Sequence, residues 1–283
     1  MHLLLGRTVG GDRLIRRDAD GSMTALTGVS SVAALLRRSL TEIRAIADAG
    51  GEVVDAAEVQ PRSIVDGRME VWAAGVTYKR SRTARAEEST IADVYDRVYD
   101  AERPELFFKS VPWRVVVGGE PIGVRADSPI NVPEPELAVV VDSSAEIVGY
   151  TICNDVSSRS IEGENPLYLP QAKVYDSACA VAAAIRPAWE IDDPYDLAID
   201  VVVERSGSIA WEGTSSTSLL HRRLPDLVAY AFKSMAFPDG LVLSTGTPLV
   251  PEMTFDLAAG DVVTIRIQDV GELRNPVVEV GRA

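Results

Sequence analysis

The chain has 283 residues, of which 46% are hydrophobic and 25% are charged. This composition excludes a disordered chain, and at roughly 150 residues per domain the length predicts about two domains. The 42 acidic and 28 basic side chains give a formal net charge of −14. Because nucleic acids and anionic membranes bind to basic surfaces, we expect neither as a partner.

Residues 1–66 are predicted to form a small N-terminal α+β domain. Short apolar runs interrupted by Gly10-Gly11 and Asp20-Gly21 are typical of strands. Apolar residues then recur at helical spacing over 31–48, and Gly50-Gly51 ends this predicted helix.

Residues 67–283 are β-rich, and we expect them to form a β-rich α+β body with helices over 88–101 and 225–236. Because predicted strands outnumber helices and do not alternate with them, the pattern favours an α+β fold over a doubly wound parallel sheet. The predicted strands lie at 106–110, 114–117, 136–141, 146–153, 197–205, 208–212 and 261–267.

Cysteine use and hydropathy bear on the cellular compartment. Cys153 and Cys179 are not spaced like the cysteines of a metal site. Two cysteines are also too few for a disulfide framework in a chain of this length, so we expect two buried thiols. No apolar run approaches the roughly 18 residues of a membrane span, and the first residues carry no signal-peptide pattern. We therefore expect a cytoplasmic protein that does not bind membranes.

Several common catalytic motifs are absent from the sequence. It contains no GxGxxG after a strand, no GxxxxGK[ST], no GxSxG and no HExxH. Its two histidines are His2, at the terminus, and His221, beside two arginines. This scarcity argues against hydrolysis by a serine or cysteine nucleophile, which needs a histidine as base.

Segment 131–155 carries the clearest candidate site. Glu134 and Glu136 lie two residues apart where a strand begins, so their carboxylates share one face. If the segment forms a regular hairpin, Glu134 lies opposite Asp155 and three carboxylates converge. Such a set suits Mg²⁺, which takes about six oxygen ligands and would keep positions for water and a chelating substrate. A solvated acidic rim is the alternative; we favour the metal site because the adjoining strand face is apolar.

Four further residues are candidates from their context. Lys173 follows a proline-marked loop and could bind a substrate carboxylate or move a proton, although an ordinary surface lysine fits the pattern as well. Glu105 and Lys109 lie at the two ends of the apolar strand ELFFK. The alternative for Lys109 is that its aliphatic chain packs on apolar neighbours while its ammonium group reaches solvent. Thr247 belongs to the STGT block, which could hold a carboxylate or form only a turn.

Six blocks in this order resemble the fumarylacetoacetate hydrolase family: GVTY (75–78), ELFFK (105–109), EPELAVV (134–140), GYTICNDVSSR (149–159), KVYD (173–176) and STGT (244–247). The resemblance runs from about residue 71 to 278. It implies a small N-terminal domain and a rolled mixed β-sandwich catalytic domain, in a homodimer or homotetramer. It also implies Mg²⁺, or else Ca²⁺ or Mn²⁺, held by Glu134, Glu136 and Asp155. Lys173 matches the family's active-site lysine, and Thr247 matches a threonine that contacts the substrate carboxylate.

One position departs from the hydrolytic members that this family contains. They have a histidine, which activates water for C–C bond cleavage, three residues after the tyrosine of a G-x-N-Y block. Here Ser81 follows Tyr78 at that distance, and we place both residues at the substrate. The blocks VYDAERPELFFKS (98–110) and ENPLYLPQAKVY (164–175) resemble instead the members that dehydrate 2-keto-3-deoxy sugar acids.

The residues and the resemblance together predict a metal-dependent lyase. A 2-keto acid, by resemblance 2-dehydro-3-deoxy-D-arabinonate, would lose water through a metal-stabilised enolate and give 2,5-dioxopentanoate. Lys173 would move the proton at C3, and Glu105 or Lys109 would act at the leaving hydroxyl. The alternatives are an acylpyruvate or diketo-acid hydrolase, an oxaloacetate decarboxylase on the same metal, and a non-catalytic protein that binds keto acids.

Overall fold

The computed structural model describes residues 1–88 and 97–281. Its helices are α1 (Val32–Leu36), α2 (Leu40–Asp48), α3 (Lys79–Glu88), α4 (Arg159–Glu164), α5 (Leu169–Lys173) and α6 (Leu224–Phe232). Residues 97–100 are also helical, whereas most of the helix predicted over 88–101 lies outside the described residues. Among the helices of the described ranges there is no candidate for a membrane-spanning segment.

The strands outnumber the helices, as the sequence predicted. They are β1 (His2–Thr8), β2 (Gly11–Arg17), β3 (Met23–Ala25), β4 (Glu52–Val54), β5 (Gln60–Arg62), β6 (Glu70–Gly75), β7 (Glu105–Ser110), β8 (Val115–Val116), β9 (Ile122–Arg125), β10 (Asn131–Val132), β11 (Pro135–Val141), β12 (Ile147–Asp155), β13 (Ser157–Ser158), β14 (Cys179–Val181), β15 (Ala184–Pro187), β16 (Ala198–Arg205), β17 (Ser208–Ser216), β18 (Leu241–Ser244), β19 (Val262–Ile267) and β20 (Gly271–Val280).

These strands form mixed sheets, which confirms the predicted β-rich α+β class. A 13-stranded sheet has the order β4-β3-β2-β1-β15-β12-β11-β18-β6-β7, with β5, β8 and β14 paired beside this path. A five-stranded sheet has the order β17-β16-β19-β20-β9, and β10 pairs with β13. Parallel pairs such as β18–β6 occur beside antiparallel pairs such as β11–β12.

Strand β11 lies at the centre of the large sheet and is buried along its whole length. Its alternate side chains point into two separate apolar cores, as the period of two requires. Leu137 and Val139 pack in the core shared with the five-stranded sheet. Ala138 and Val140 pack in the second core, which also contains Val32 and the other buried residues of α1. Glu136 therefore lies on the face of the sheet that the N-terminal residues cover.

The N-terminal residues share a sheet as well as a core with the rest of the chain. Strand β1 pairs with β15, bringing Leu3 opposite Ile185. The predicted division into residues 1–66 and 67–283 stays a prediction.

Two of the predicted helices differ from the structure. The helix predicted over 31–48 is two helices, because Ser39 begins α2 with a capping box in which its side chain and that of Glu42 exchange hydrogen bonds with the backbone. The helix predicted over 225–236 runs from Leu224 to Phe232. Helices α3, α4 and α5 were not predicted, since their segments lack a long apolar period.

A buried carboxylate joins the N-terminal residues to the rest of the chain. The Asp239 side chain is 1% exposed, and its Oδ1 lies 2.9 Å from Arg37 Nε and 3.1 Å from Arg68 Nη2. The Arg68 backbone N–H donates to Asp239 Oδ2 at 2.8 Å. The hydrogen bond from Arg37, with those from Arg68, outweighs burial and lowers the pKa of Asp239.

We expect Asp239→Asn to lower the free energy of unfolding by about 1–3 kcal/mol, because hydrogen bonds to a charged group are lost. A carboxyl whose pKa is lowered in the folded state stabilises the fold above its unfolded pKa of about 3.9 and loses this contribution as the pH falls further. Urea unfolding at pH 7 and pH 3 should therefore show a smaller difference between variant and parent at pH 3. Asp12→Asn, which breaks an exposed pair with Arg7, is the control and should cost less than about 1 kcal/mol. Equal costs for the two variants would contradict the prediction.

Candidate metal centre

Three carboxylates meet at one end of the β11–β12 hairpin. Pro135 pairs with Asn154 and Glu136 with Cys153, and the Asp155 N–H donates to the Glu134 carbonyl at 3.0 Å. This is the register that the sequence predicted.

All three side chains are buried, with 1–2% of Glu134, Glu136 and Asp155 exposed. One oxygen from each lies within 4.8 Å of the others. The solvated acidic rim is therefore excluded, and the donor set is the one that a hard divalent cation prefers.

The buried charges perturb one another. Burial, and then the negative charges of Asp155 and Glu134, raise the pKa of Glu136 well above its usual range. Burial alone would raise the pKa of Asp155 too, but the charges of Lys109 and Lys173 outweigh it and lower that pKa. A divalent cation would relieve this repulsion, so the electrostatics fit a metal as the geometry does.

Glu136 is held in place by the turn that follows β18. The Ser244 hydroxyl donates to Glu136 Oε2 at 2.5 Å, and the Gly246 N–H donates to the same oxygen at 2.7 Å. Thr247, in the same turn, donates its hydroxyl to the Pro135 carbonyl at 3.0 Å. The STGT block is thus packed directly on the strand that carries the glutamates.

Lys173 lies among these carboxylates and is completely buried. Its Nζ donates to Glu134 Oε2 at 2.7 Å, to Asp155 Oδ2 at 3.0 Å and to the Ser157 hydroxyl. The surface-lysine interpretation is therefore wrong.

Lys109 is also buried and reaches the same place from β7. Its Nζ lies 2.5 Å from Asp155 Oδ1 and donates to the carbonyls of Val156 at 3.0 Å and Lys173 at 2.6 Å. The two lysines thus approach opposite oxygens of Asp155, and Lys109 also contacts the backbone of Lys173.

Sequence reasoning missed Arg159 and Glu162. Arg159 is 1% exposed, and its Nη1 lies 3.2 Å from both Glu134 Oε1 and Glu162 Oε2. A signal was present, since the two residues are spaced three apart, the spacing of neighbours on a helix.

A narrow cavity of about 10 Å³ opens onto the carboxylates. Besides Glu134, Glu136, Asp155 and Arg159, its walls are formed by Ala74, Gly75, Val76, Ser81, Phe107, Gly246, Thr247 and Val250. Ser81 donates its hydroxyl to the Tyr78 carbonyl at 2.8 Å. Burial, and then the charge of Glu136, raise the pKa of Tyr78. Within the described residues, no histidine lines this cavity.

The two histidines have other contacts. His2 contacts the Val270 carbonyl at 3.0 Å, and His221 stacks on Tyr99 with ring centroids 4.2 Å apart. A wider groove of about 450 Å³ borders Trp113 and Pro61, but none of the three metal-site carboxylates lines it.

A mixed β fold that buries three carboxylates and two lysines beside a small cavity defines a metal-dependent enzyme for small molecules. Residues 70–278 match the C-terminal domain of fumarylacetoacetate hydrolase, and the chain belongs to this family.

Two relatives that share more than 40% of their residues with this chain carry the names of sugar-acid dehydratases. A probable 2-keto-3-deoxyxylonate dehydratase of Haloferax volcanii is 46% identical over 263 residues, which cover 93% of this chain and 91% of the relative. A 2-dehydro-3-deoxy-D-arabinonate dehydratase of Saccharolobus solfataricus is 44% identical over 212 residues, covering 74% and 71%.

The solved structure of 2-keto-3-deoxy-D-arabinonate dehydratase complexed with magnesium and 2,5-dioxopentanoate has a TM-score of 0.87. It is 33% identical and covers 100% of both chains. The predicted fumarylacetoacetate hydrolase fold is confirmed.

Proposed function

We propose that this protein is a Mg²⁺-dependent dehydratase of 2-keto-3-deoxy sugar acids, which converts 2-dehydro-3-deoxy-D-arabinonate to 2,5-dioxopentanoate. The observation that carries the proposal is the buried cluster of Glu134, Glu136 and Asp155 beside Lys173, in a cavity that no histidine of the described residues lines. The dehydratases at 46% and 44% identity support the same reaction class.

The three carboxylates would hold Mg²⁺, and the same oxygen ligands would also accept Ca²⁺ or Mn²⁺. When bound, it polarises a 2-keto group and stabilises the negative charge that develops as C3 loses its proton. Lys173, which contacts two of the three carboxylates, is assigned the proton transfer at C3. Thr247 and Tyr78 are assigned to the substrate carboxylate, with Ser81 beside them in the cavity wall.

We assign the leaving hydroxyl at C4 to Glu105 rather than Lys109. The Lys109 ammonium is already committed to Asp155 and two backbone carbonyls, so it has the contacts of a positioning residue. Glu105 Oε2 is buried and has no hydrogen-bond partner among the described residues. The Glu105 carboxyl therefore offers an unsatisfied oxygen to the departing hydroxyl.

The reaction balances without an oxidant, a reductant or an attacking water. Loss of a proton from C3 and of the hydroxyl from C4 leaves a double bond conjugated with the 2-keto group. A proton shift from C5 to C3 gives the enol of the C5 aldehyde, and transfer of the enol O–H proton to C4 completes 2,5-dioxopentanoate. Hydrolysis of a C–C bond requires an activated water instead, for which this cavity offers no histidine within the described chain.

The test is to incubate the protein and Mg²⁺ separately with a 2-keto-3-deoxy pentonate, the corresponding hexonate, an acylpyruvate and oxaloacetate. We expect the keto-deoxy acid to lose one water by mass spectrometry and the acylpyruvate to remain intact. Ser81→His, which restores the hydrolytic residue, should not be needed for dehydration. Efficient pyruvate release from the acylpyruvate with the keto-deoxy acid untouched would support the hydrolase alternative, and binding without turnover would support the non-catalytic one.

We further propose that the protein is a homodimer or homotetramer of the cytoplasm. The family resemblance supports the assembly, and two buried free cysteines suit a reducing compartment. Light scattering of the purified chain measures the oligomer directly.

A further inference from the structure

Gly75 and Glu105 face each other across β6 and β7 at the edge of the cavity. They are paired residues in the antiparallel register. A Cβ atom built on Gly75 would lie 2.0 Å from Glu105 Oε2, 2.6 Å from its Cδ and 3.3 Å from its Cγ. The Glu105 carboxylate therefore occupies the space that any side chain at position 75 would need.

The backbone does not require glycine at this position. The φ angle of Gly75 is not positive, so an L-residue could adopt the same backbone conformation. The reason for glycine here is the space that it leaves.

This space adjoins the candidate active site. Gly75 itself lines the cavity, and so does Phe107, which lies two residues from Glu105 and on the same face of β7. Glu105 Oε2 is buried with no hydrogen-bond partner in the described chain. A buried carboxylate oxygen without a donor is costly, and a hydroxyl group of a ligand would satisfy it.

We propose that Gly75 is a positioning residue that determines specificity for a substrate with a 4-hydroxyl group. By having no side chain, it lets the Glu105 carboxylate lie against β6 beside the cavity-lining Gly75, where this group recognises the hydroxyl that leaves. The inference rests on the proposed dehydratase function and deepens it.

The central experiment is Gly75→Ala, alone and combined with Glu105→Ala. The obstructing atoms belong to the tip of a flexible side chain, so the fold can accept the methyl group by moving the carboxylate. A displacement of about 1 Å can cost about 10²-fold in rate, and we expect a loss of kcat of this size with little change in KM. In the Glu105→Ala background the same methyl group has nothing to displace, so Gly75→Ala should cost less than about twofold there.

A second readout separates this role from general damage to the site. The exchange of C3 protons of 2-oxobutyrate, which has no 4-hydroxyl, depends on the metal and Lys173 and should persist in Gly75→Ala. Gly118→Ala is the control, because its Cβ would meet nothing closer than 3.9 Å, and it should leave both activities and the melting temperature unchanged.

The inference would be overturned if the losses of kcat from the two single substitutions multiplied in the double variant. It would also be overturned if Gly75→Ala no longer exchanged the C3 protons of 2-oxobutyrate. Failure of the proposed function is distinguishable, since the unmodified protein itself would then fail to dehydrate the keto-deoxy acid.

Discussion

Glu136→Gln is expected to lower dehydratase activity at least about 10³-fold, to the level reached when the divalent metal is removed by chelation. Lewis-acid stabilisation by a metal contributes several kcal/mol, and each 1.4 kcal/mol is about a factor of ten. The Ser244 hydroxyl and the Gly246 N–H both donate to Glu136 Oε2. A glutamine will therefore turn its oxygen towards these donors, which leaves its NH₂ group, a donor that cannot bind a cation, in the other position.

The measurement is turnover in buffer treated with a chelator, followed by addition of Mg²⁺, together with calorimetric titration of Mg²⁺ into each protein. Activity of the unmodified chain should return with Mg²⁺, and Glu136→Gln should show weak binding and no recovery. Glu58→Gln makes the same chemical change at an exposed residue and should behave as the parent. Full activity of Glu136→Gln in metal-free buffer would refute the metal site.

Lys173→Met should lose about 10²–10⁴-fold in turnover, the usual contribution of a general acid or base. The same change also removes the cation that lies between Glu134 and Asp155. Without metal, breaking such a buried ion pair should destabilise the fold by about 3–5 kcal/mol. Mg²⁺ should restore most of this stability, because it supplies positive charge to the same carboxylates, but it cannot restore the proton transfer.

Thermal unfolding with and without Mg²⁺, alongside steady-state kinetics, separates the two roles. Lys233→Met, at an exposed lysine beside Tyr230, is the matched control and should change neither quantity. A loss of turnover smaller than tenfold, with the stability change intact, would make Lys173 a counter-ion only.

The cluster of three buried carboxylates was predictable because its arrangement is local. The period of two along a strand places Glu134 and Glu136 on one face, and a hairpin returns the chain to Asp155. These rules act over about twenty residues, so they can be applied without knowing the rest of the fold. The β-rich class and the family resemblance were equally accessible, since composition, strand patterns and ordered blocks are properties of the sequence.

Other features were decided by tertiary structure, because they depend on packing between distant segments. Lys109 and Lys173 meet at Asp155 from separate elements, and only their contacts show that both are buried counter-charges. The clearance between Gly75 and Glu105 exists because β6 pairs with β7 in one particular register. No local period specifies such a register; it is selected by the burial of the whole sheet, whose apolar faces must both be covered before these polar groups can be held together.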